Sequence, residues 1–347
     1  MWWMNHMKPA RAWRWLALLA VIGLALSAVP VLHAGAQPAP TDCGLRNDLI
    51  FYDRNVGAAF LDQVDGSGQS TDLQSYSWRR TWTRIIPLNA NSDCWTDLLF
   101  YEMSTGQAEL YANDGWGNFR LLQQFQWRTT WGVIRTVNVN GDNITDLLFY
   151  ESATGQAEIY TGDGRGNIHL LRAYQWRTTW SQILGGMGTP NDWERIFFYE
   201  RGSGHAELYS IDNQGNLTLL RWYTLRGTWL VTTGQFGPAG DTIPDLIFYD
   251  PRSDVAELFT LDTSGNLIHQ WVRSWSTSDD RTWVEILPLE LDTLGGNELL
   301  FYAIEGSPVN VDIYNTGTTN EASVRVQILA RNRWGQNWSQ IVPGRFY

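Results

Sequence analysis

Cysteine is nearly absent from this 347-residue chain, with only Cys43 and Cys94. That excludes a disulfide-dense scaffold and a fold built on cysteine-ligated metal. Histidine is as scarce: beyond residue 36 there are three, His169, His205 and His269, with no metalloprotease spacing between them. No serine-elbow motif occurs, and no glycine-rich turn leads into a helical pattern that would cradle phosphate. Charged residues make up 18% of the chain and sum to −11, with no basic block after residue 14. Such a chain lacks the electrostatic footprint for nucleic acid or an anionic membrane. After Pro40 no apolar run is long enough for a spanning helix. What is abundant is aromatic residues and glycine: 20 Trp, 14 Tyr, 13 Phe and 32 Gly. This mixture points to aromatic-faced strands joined by tight turns.

One long apolar run lies at the start. Lys8, Arg11 and Arg14 precede Trp15 to Leu32 and a small-residue exit at Ala34, Gly35 and Ala36, the pattern of an export signal over residues 1–36. Retention as an N-terminal anchor is the alternative, and only then is membrane contact expected. Either way the expectation is Sec-type export to a secreted or cell-surface location. In that oxidising setting Cys43 and Cys94, each just upstream of an equivalent repeat segment, are expected to pair; free or differently paired thiols are the alternative.

The chain aligns on itself. Asp48-Leu-Ile-Phe-Tyr52 recurs as segments ending at Tyr101, Tyr150, Tyr199, Tyr249 and Tyr302, spaced 49, 49, 49, 50 and 53 residues apart. A second landmark, Trp82, Trp131, Trp180, Trp229, Trp283 and Trp338, keeps nearly the same step. Six units near 50 residues therefore fill the chain from about residue 41. Each has room for four short strands: in copy two, Leu98 to Tyr101, Ala108 to Tyr111, Phe119 to Trp127 and Trp131 to Val137, separated by turn residues. The expected fold is all-β, a six-bladed β-propeller of four-stranded antiparallel blades. The phase supports closure, because the chain opens on the second strand of a blade and ends on an unpaired first strand, Trp338 to Val342. Pairing this C-terminal strand with the first blade closes the ring. A linear solenoid would leave its end faces uncapped. The expected division is a signal at 1–36, a lead-in at 37–47 and the propeller at 48–347.

Some polar residues hold fixed places. Glu109, Glu158, Glu207 and Glu257 share one strand position, with Asp312 in the sixth copy and Phe60 in the first. Arg79, Arg128, Arg177 and Arg226 precede the landmark tryptophans by three residues. A repeated acid among apolar neighbours must be paired or solvated, so a structural Glu–Arg pair is expected. Such a ring of equivalent acids does not set two unlike carboxylates about one substrate bond. The Asp114 to Asn118 type of turn reads as a tight reversal.

The loop before each Leu-Phe-Tyr strand has a chelator's spacing. Asn138, Asn140, Asp142 and Asp146 in copy three, and Asn89, Asn91, Asp93 and Asp97 in copy two, stand at relative positions 1, 3, 5 and 9. With two carboxylates per loop, the expectation is a weak calcium site or a loop closed by its own Asn and Asp side chains.

Function is read from composition. Sixteen tryptophans follow residue 36, and indoles beside polar residues suit sugar rings, with avidity from repetition. The leading expectation is an exported, non-enzymatic, lectin-like module that binds glycans in shallow pockets between blades. The alternative is a protein-interaction or structural propeller whose partner is a surface or extracellular protein. A glycan-active hydrolase is a third reading.

The unit Asp146 to Tyr160, preceded by Asn140-Gly-Asp142, resembles the FG-GAP/VCBS-type repeats of exported propellers, and the aromatic blades resemble propeller lectins of the Psathyrella velutina type. The resemblance covers about residues 41–347 and implies a secreted propeller, sometimes calcium-stabilised, whose lectin members bind monosaccharides between blades. It also implies calcium-type roles for the two residue sets just named. Asn at the usual first Asp, Asn143 at the usual Gly, and six copies in place of seven are departures from those lectins.

Overall fold

The computed structural model describes residues 48–187, 194–236, 243–274, 283, 285–291, 297–303, 311–315, 327–332, 334 and 338–347. The chain divides into Met1–Pro38 and Ala39–Tyr347; the expected signal, the lead-in and Cys43 lie outside the described residues. Among those residues no helix is long and apolar enough to cross a membrane.

The described residues form six four-stranded antiparallel sheets. Blade 1 contains β1 (Asp48–Asp53), β2 (Ala58–Val64) and β3 (Ser70–Ser77). Blade 2 is β4 (Arg84–Leu88), β5 (Asp97–Glu102), β6 (Gln107–Asn113) and β7 (Phe119–Gln126). Blade 3 follows with β8 (Val133–Val137), β9 (Asp146–Tyr150), β10 (Gln156–Gly162) and β11 (Ile168–Gln175). Blade 4 is β12 (Gln182–Leu184), β13 (Glu194–Tyr199), β14 (His205–Ile211) and β15 (Leu217–Thr224). Blade 5 is β16 (Leu230–Gly234), β17 (Asp245–Asp250), β18 (Val255–Leu261) and β19 (Leu267–Ser274). Blade 6 is β20 (Glu285–Leu289), β21 (Glu298–Tyr302), β22 (Val311–Asn315) and β23 (Gln327–Asn332), and the chain ends with β24 (Gln340–Gly344).

β24 lies against β1, giving blade 1 the order β24-β1-β2-β3. The register runs from Asp48 opposite Gly344 to Tyr52 opposite Gln340. The ring therefore closes as expected, with a shift at the strand ends. β24 starts at Gln340 and β8 at Val133, each two residues after its landmark tryptophan. The reason is packing: Trp131 is buried in the core, and Trp338 lies 5.3 Å from the Phe51 ring and 5.8 Å from that of Phe60.

The core is divided among the seams. One cluster joins Ile50, Tyr52 and Leu61 of blade 1 to Trp82, Leu98 and Phe100 of blade 2. Another joins Leu49 and Phe51 to Leu289 and Leu300 of blade 6. The Leu-Phe-Tyr strands are buried on both faces because each blade covers its neighbour, and each such side chain contributes about 1.5–3 kcal/mol. Where that strand ends, its tyrosine ties down the next linker: the Tyr52, Tyr101 and Tyr150 hydroxyls donate to the carbonyls of Arg79, Arg128 and Arg177 at 2.5, 2.6 and 2.7 Å.

Each outermost strand carries a bulge at the same register, leaving Leu122 unpaired in blade 2 and Leu220 in blade 4. Bulges twist a free edge away from further pairing. The Asp114 to Asn118 turn is the expected reversal, with Asp114 Oδ1 accepting from the Trp116 and Asn118 amides at 2.8 and 3.1 Å. Gly117 there has φ +73°, and a Cβ on it would lie 2.8 Å from Leu61 of blade 1. The turn seats that tightly because Tyr76 of blade 1 donates to the Gly117 carbonyl at 2.7 Å.

Candidate functional site

The linker into each blade carries the Arg and the Trp three residues later. Arg79, Arg128, Arg177 and Arg226 lie over the rings of Trp82, Trp131, Trp180 and Trp229, 4.4–5.2 Å from the centroids. The same guanidiniums pair with Glu109, Glu158 (3.1 Å), Glu207 (2.8 Å) and Glu257 (3.0 Å). In blades 2, 3 and 4 the other carboxylate oxygen accepts a tyrosine hydroxyl at 2.7 Å, from Tyr111, Tyr160 and Tyr209. Burial, then the neighbouring glutamate, pushes Tyr160 and Tyr209 up to about 12. In blade 6, Asp312 lies 3.7 Å from Arg331. The structural Glu–Arg pair is thus found, and in blades 2–5 it braces the blade to the linker that enters it.

Blade 4 has a variant of this cluster. His205 stands where blades 2 and 3 have Gln107 and Gln156, stacks on Trp180 at 5.9 Å, and places Nε2 2.7 Å from Glu207 Oε1. Burial works against the Glu207 charge, yet the His205 and Tyr209 hydrogen bonds and Arg177 hold its carboxyl below the usual range. Every oxygen is already engaged. The landmark indoles are 2–5% exposed in blades 2–6 and covered by arginine in blades 2–5. They offer no open face to a sugar ring.

The chelator-spaced loops close on themselves. Asn89 Oδ1 accepts from Ser92 N at 2.9 Å, Asn91 Oδ1 from Asp93 N at 3.1 Å, and Asp93 Oδ1 from Trp95 N at 2.8 Å. Asn138, Asn140 and Asp142 repeat this with Gly141, Asp142 and Ile144. The Asn91 and Asn140 amides donate to Asp93 Oδ2 and Asp142 Oδ2 at 2.6 and 2.8 Å. Asp97 and Asp146, both fully buried, instead clamp backbone: Asp97 takes the Ala90 and Asn113 amides, and Asp146 those of Val139 and Gly162, all at 2.8–3.0 Å. Burial pushes their carboxyls up to about 7 and about 6. In this arrangement each carboxylate oxygen of Asp93 and Asp142 accepts an N–H, so both loops are closed by their own side chains. Among the described residues no group of three His, Cys, Asp or Glu is placed to hold a metal. The corresponding loops of copies four and five lie mostly outside the described residues.

Copy four corrects the alignment. Arg195 matches the clamping acids in sequence, but Glu194 does their work, accepting from Met187 N at 2.9 Å and from Asn138 N of blade 3 at 3.2 Å. Arg195 runs instead to the carbonyls of Asp262 and Thr263 in blade 5. Cys94 is disulfide-bonded.

Two surfaces were not foreseen. The first is the central channel, where each innermost strand shows a free edge whose backbone groups need partners. Side chains of the preceding blade supply them. Gln340 both accepts from Ile85 N (2.8 Å) and donates to its carbonyl (3.3 Å), while Gln182 reaches the Val231 carbonyl at 3.4 Å. At one mouth of the channel a cleft of about 310 Å³ is lined by Asn89, Cys94, Trp95, Thr96, Glu290 and Arg345. The second is the rim. Leu121, Leu170 and Leu219 recur every 49 residues on the outermost strands, opposite Tyr111, Tyr160 and Tyr209, and in blade 5 Ile268 stands one register step away, opposite Thr260; the four are 41–55% exposed. Blades 4 and 5 add Trp222 and Val272, 63% and 60% exposed. The 49-residue step was the available signal, but an outermost strand looks half-apolar whether its free face is wet or covered.

No family model matches the chain. No curated protein matches it either. Solved structures do. A protein from Lactobacillus plantarum is 13% identical with a TM-score of 0.53, covering 83% of this chain and 82% of its own. A proposed 6-phosphogluconolactonase from Bacteroides uniformis is 12% identical with a TM-score of 0.53, covering 86% of this chain and all of its own. BBS1N, solved in complex with ARL6DN, is 15% identical with a TM-score of 0.50, covering 86% and 87%. At these identities the likeness is one of fold.

Proposed function

We propose that this chain is a non-catalytic, exported propeller that docks a protein through the rim of blades 4 and 5. The observation that carries the reading is that Leu219 and Trp222 are exposed on one face of β15, opposite Tyr209 and Glu207 of β14, while Ile268 and Val272 are exposed on β19 of the next blade. Tryptophan is enriched among residues that dominate binding energy, and grouped exposed apolar side chains mark contact sites. Exposed Arg221 and His269 flank them in an otherwise acidic chain. The fitting partner is therefore a protein surface with an apolar centre and carboxylates around it. The outer-strand bulges favour docking by side chains over strand addition. BBS1N, a propeller of similar fold, was solved with a protein bound, in keeping with this use of the scaffold.

The test places a photo-crosslinking residue at 222 and, as control, at 173, the equivalent position in blade 3. The protein captured only from 222, once purified, should bind the intact chain and lose at least about tenfold in affinity to Trp222→Ala. Equal capture from both positions, or binding indifferent to Trp222→Ala, counts against the proposal, as does a rim buried by a second copy of the chain in sedimentation runs. The carbohydrate reading keeps one place, the channel-mouth cleft with Asn89, Trp95 and Glu290. A glycan-array signal competed by free sugar and lost in Asn89→Ala would favour it over the rim.

A further inference from the structure

Four of the arginines described above have a glutamate partner, but two in the channel do not. Arg84 at the start of β4 donates from Nη2 to the Gly132 carbonyl at 2.5 Å. Arg135 in β8 donates from Nε to the Ile183 carbonyl at 3.0 Å and from Nη1 to the Ile134 carbonyl at 3.1 Å. Gly132 and Ile134 are two residues apart at the start of β8, so the carbonyls that the two guanidiniums reach lie about 6–7 Å from each other along the channel wall. Among the described residues neither arginine makes an ion pair, and Arg84 Nε is buried without a hydrogen-bond partner. The channel's described carboxyl, Glu285 of blade 6, is turned to the Ile341 amide of blade 1.

Two neighbouring cations held away from water and from carboxylates repel each other. Burial lowers both guanidiniums from their usual range, and the Arg84 charge lowers Arg135 further. A guanidinium offers five donors in a fixed fork, and here carbonyls take one from Arg84 and two from Arg135. An oxyanion between the two forks would accept from both and cancel the repulsion.

We propose that Arg84 and Arg135 form an anion clamp in the channel between blades 2 and 3, binding a small oxyanion, either a phosphate group or a carboxylate. The site is independent of the rim: it lies on the innermost strands and needs no partner protein.

The full chain is melted at pH 7 in sodium phosphate, in sodium acetate and in sodium chloride, all at equal ionic strength. The expected result is a saturable rise of about 2–4 °C over chloride in phosphate or in acetate. Phosphate alone identifies a phosphate-bearing ligand, and acetate alone a carboxylate. The rise should vanish in Arg84→Gln and Arg135→Gln and persist in Arg128→Gln, whose guanidinium lies outside the channel on Glu158. Should a glutamine variant fail to fold, Arg84→Lys keeps the charge but loses the fork, and its apparent affinity should fall at least fivefold. No rise over chloride in either salt, a rise unchanged in the channel variants, or tungstate density in a soaked crystal seated elsewhere overturns the clamp.

Discussion

The carboxylate of Asp48 accepts the backbone amide of Phe346 at 2.8 Å, across 298 residues of chain. Its Oδ2 also takes the Tyr347 amide at 2.9 Å. Asp48 opens the first strand, so the acid that clamps a loop in every other blade here clamps the end of the chain. The tail continues into blade 2, where Thr96 donates to the Arg345 carbonyl at 2.8 Å, Arg345 N donates to Thr96 Oγ1 at 2.9 Å, and Gly117 donates to the Phe346 carbonyl at 2.8 Å. The end of the ring is thus fastened twice, by β24 in blade 1 and by the tail in the seam with blade 2.

Phe346 is fully buried among Leu98, Phe100 and the rest of that seam. Phe346→Ala should cost about 3–5 kcal/mol, read from urea unfolding. A loss under about 1 kcal/mol would mean the ring is sealed by β24 alone.

Glu194 and Arg195 separate sequence position from structural role. Glu194→Ala leaves the Met187 and Asn138 amides without their acceptor and should destabilise by about 1–3 kcal/mol per lost partner. Restoring the repeat's apparent consensus with Arg195→Asp should not rescue it. Rescue in the double variant, measured by thermal melting, would show that the alignment and not the geometry was right.

The acids of the interior set a pH dependence. Burial pushes the Glu285 carboxyl up to about 7, above the roughly 4.3 of an unfolded glutamate. Between those values the folded chain holds more protons than the unfolded one, so this contribution is full at low pH and is lost as pH rises through 7. Asp97 and Asp146 act with the same sign. Asp65, Asp163 and Asp262, held below the usual range chiefly by side-chain hydrogen bonds to Ser67, Asn167 and Asn266, change charge only below about pH 4. The melting temperature should therefore fall between pH 5 and pH 8, and fall less in Glu285→Gln. Identical slopes for the two proteins would remove Glu285 from the account.

Chelation should leave the melting temperature unchanged, because the Asn89 and Asn138 loops are closed by their own amides. A drop in excess chelator, reversed by added calcium and absent in Asp93→Ala, would restore the metal reading.

The sequence showed the ring and much of its bracing because duplication wrote the landmarks six times and the Glu–Arg pair four times. The Tyr52 and Trp82 landmarks, the Glu109–Arg79 type of pair and the closing strand all stand at fixed intervals, and each has a counterpart in the structure. What escaped was whatever occurs once or depends on which side of a residue is wet. Arg84 and Arg135 hold different places in their strands, so no repeat draws attention to them. Trp222 and Trp180 are both tryptophans in aromatic surroundings, yet one is exposed and the other lies under an arginine. Composition favours a sugar platform in either case, and only the packing of Arg177 over Trp180 shows which face is closed.

The meeting of Asp48 with Tyr347 makes the starting point of the ring a matter of numbering. A circular permutant with a short linker from 347 to 48 and new termini at the exposed Gly202–Ser203 turn would retain all six sheets. Its ends would then fall in an ordinary hairpin, and the double fastening would become a covalent join.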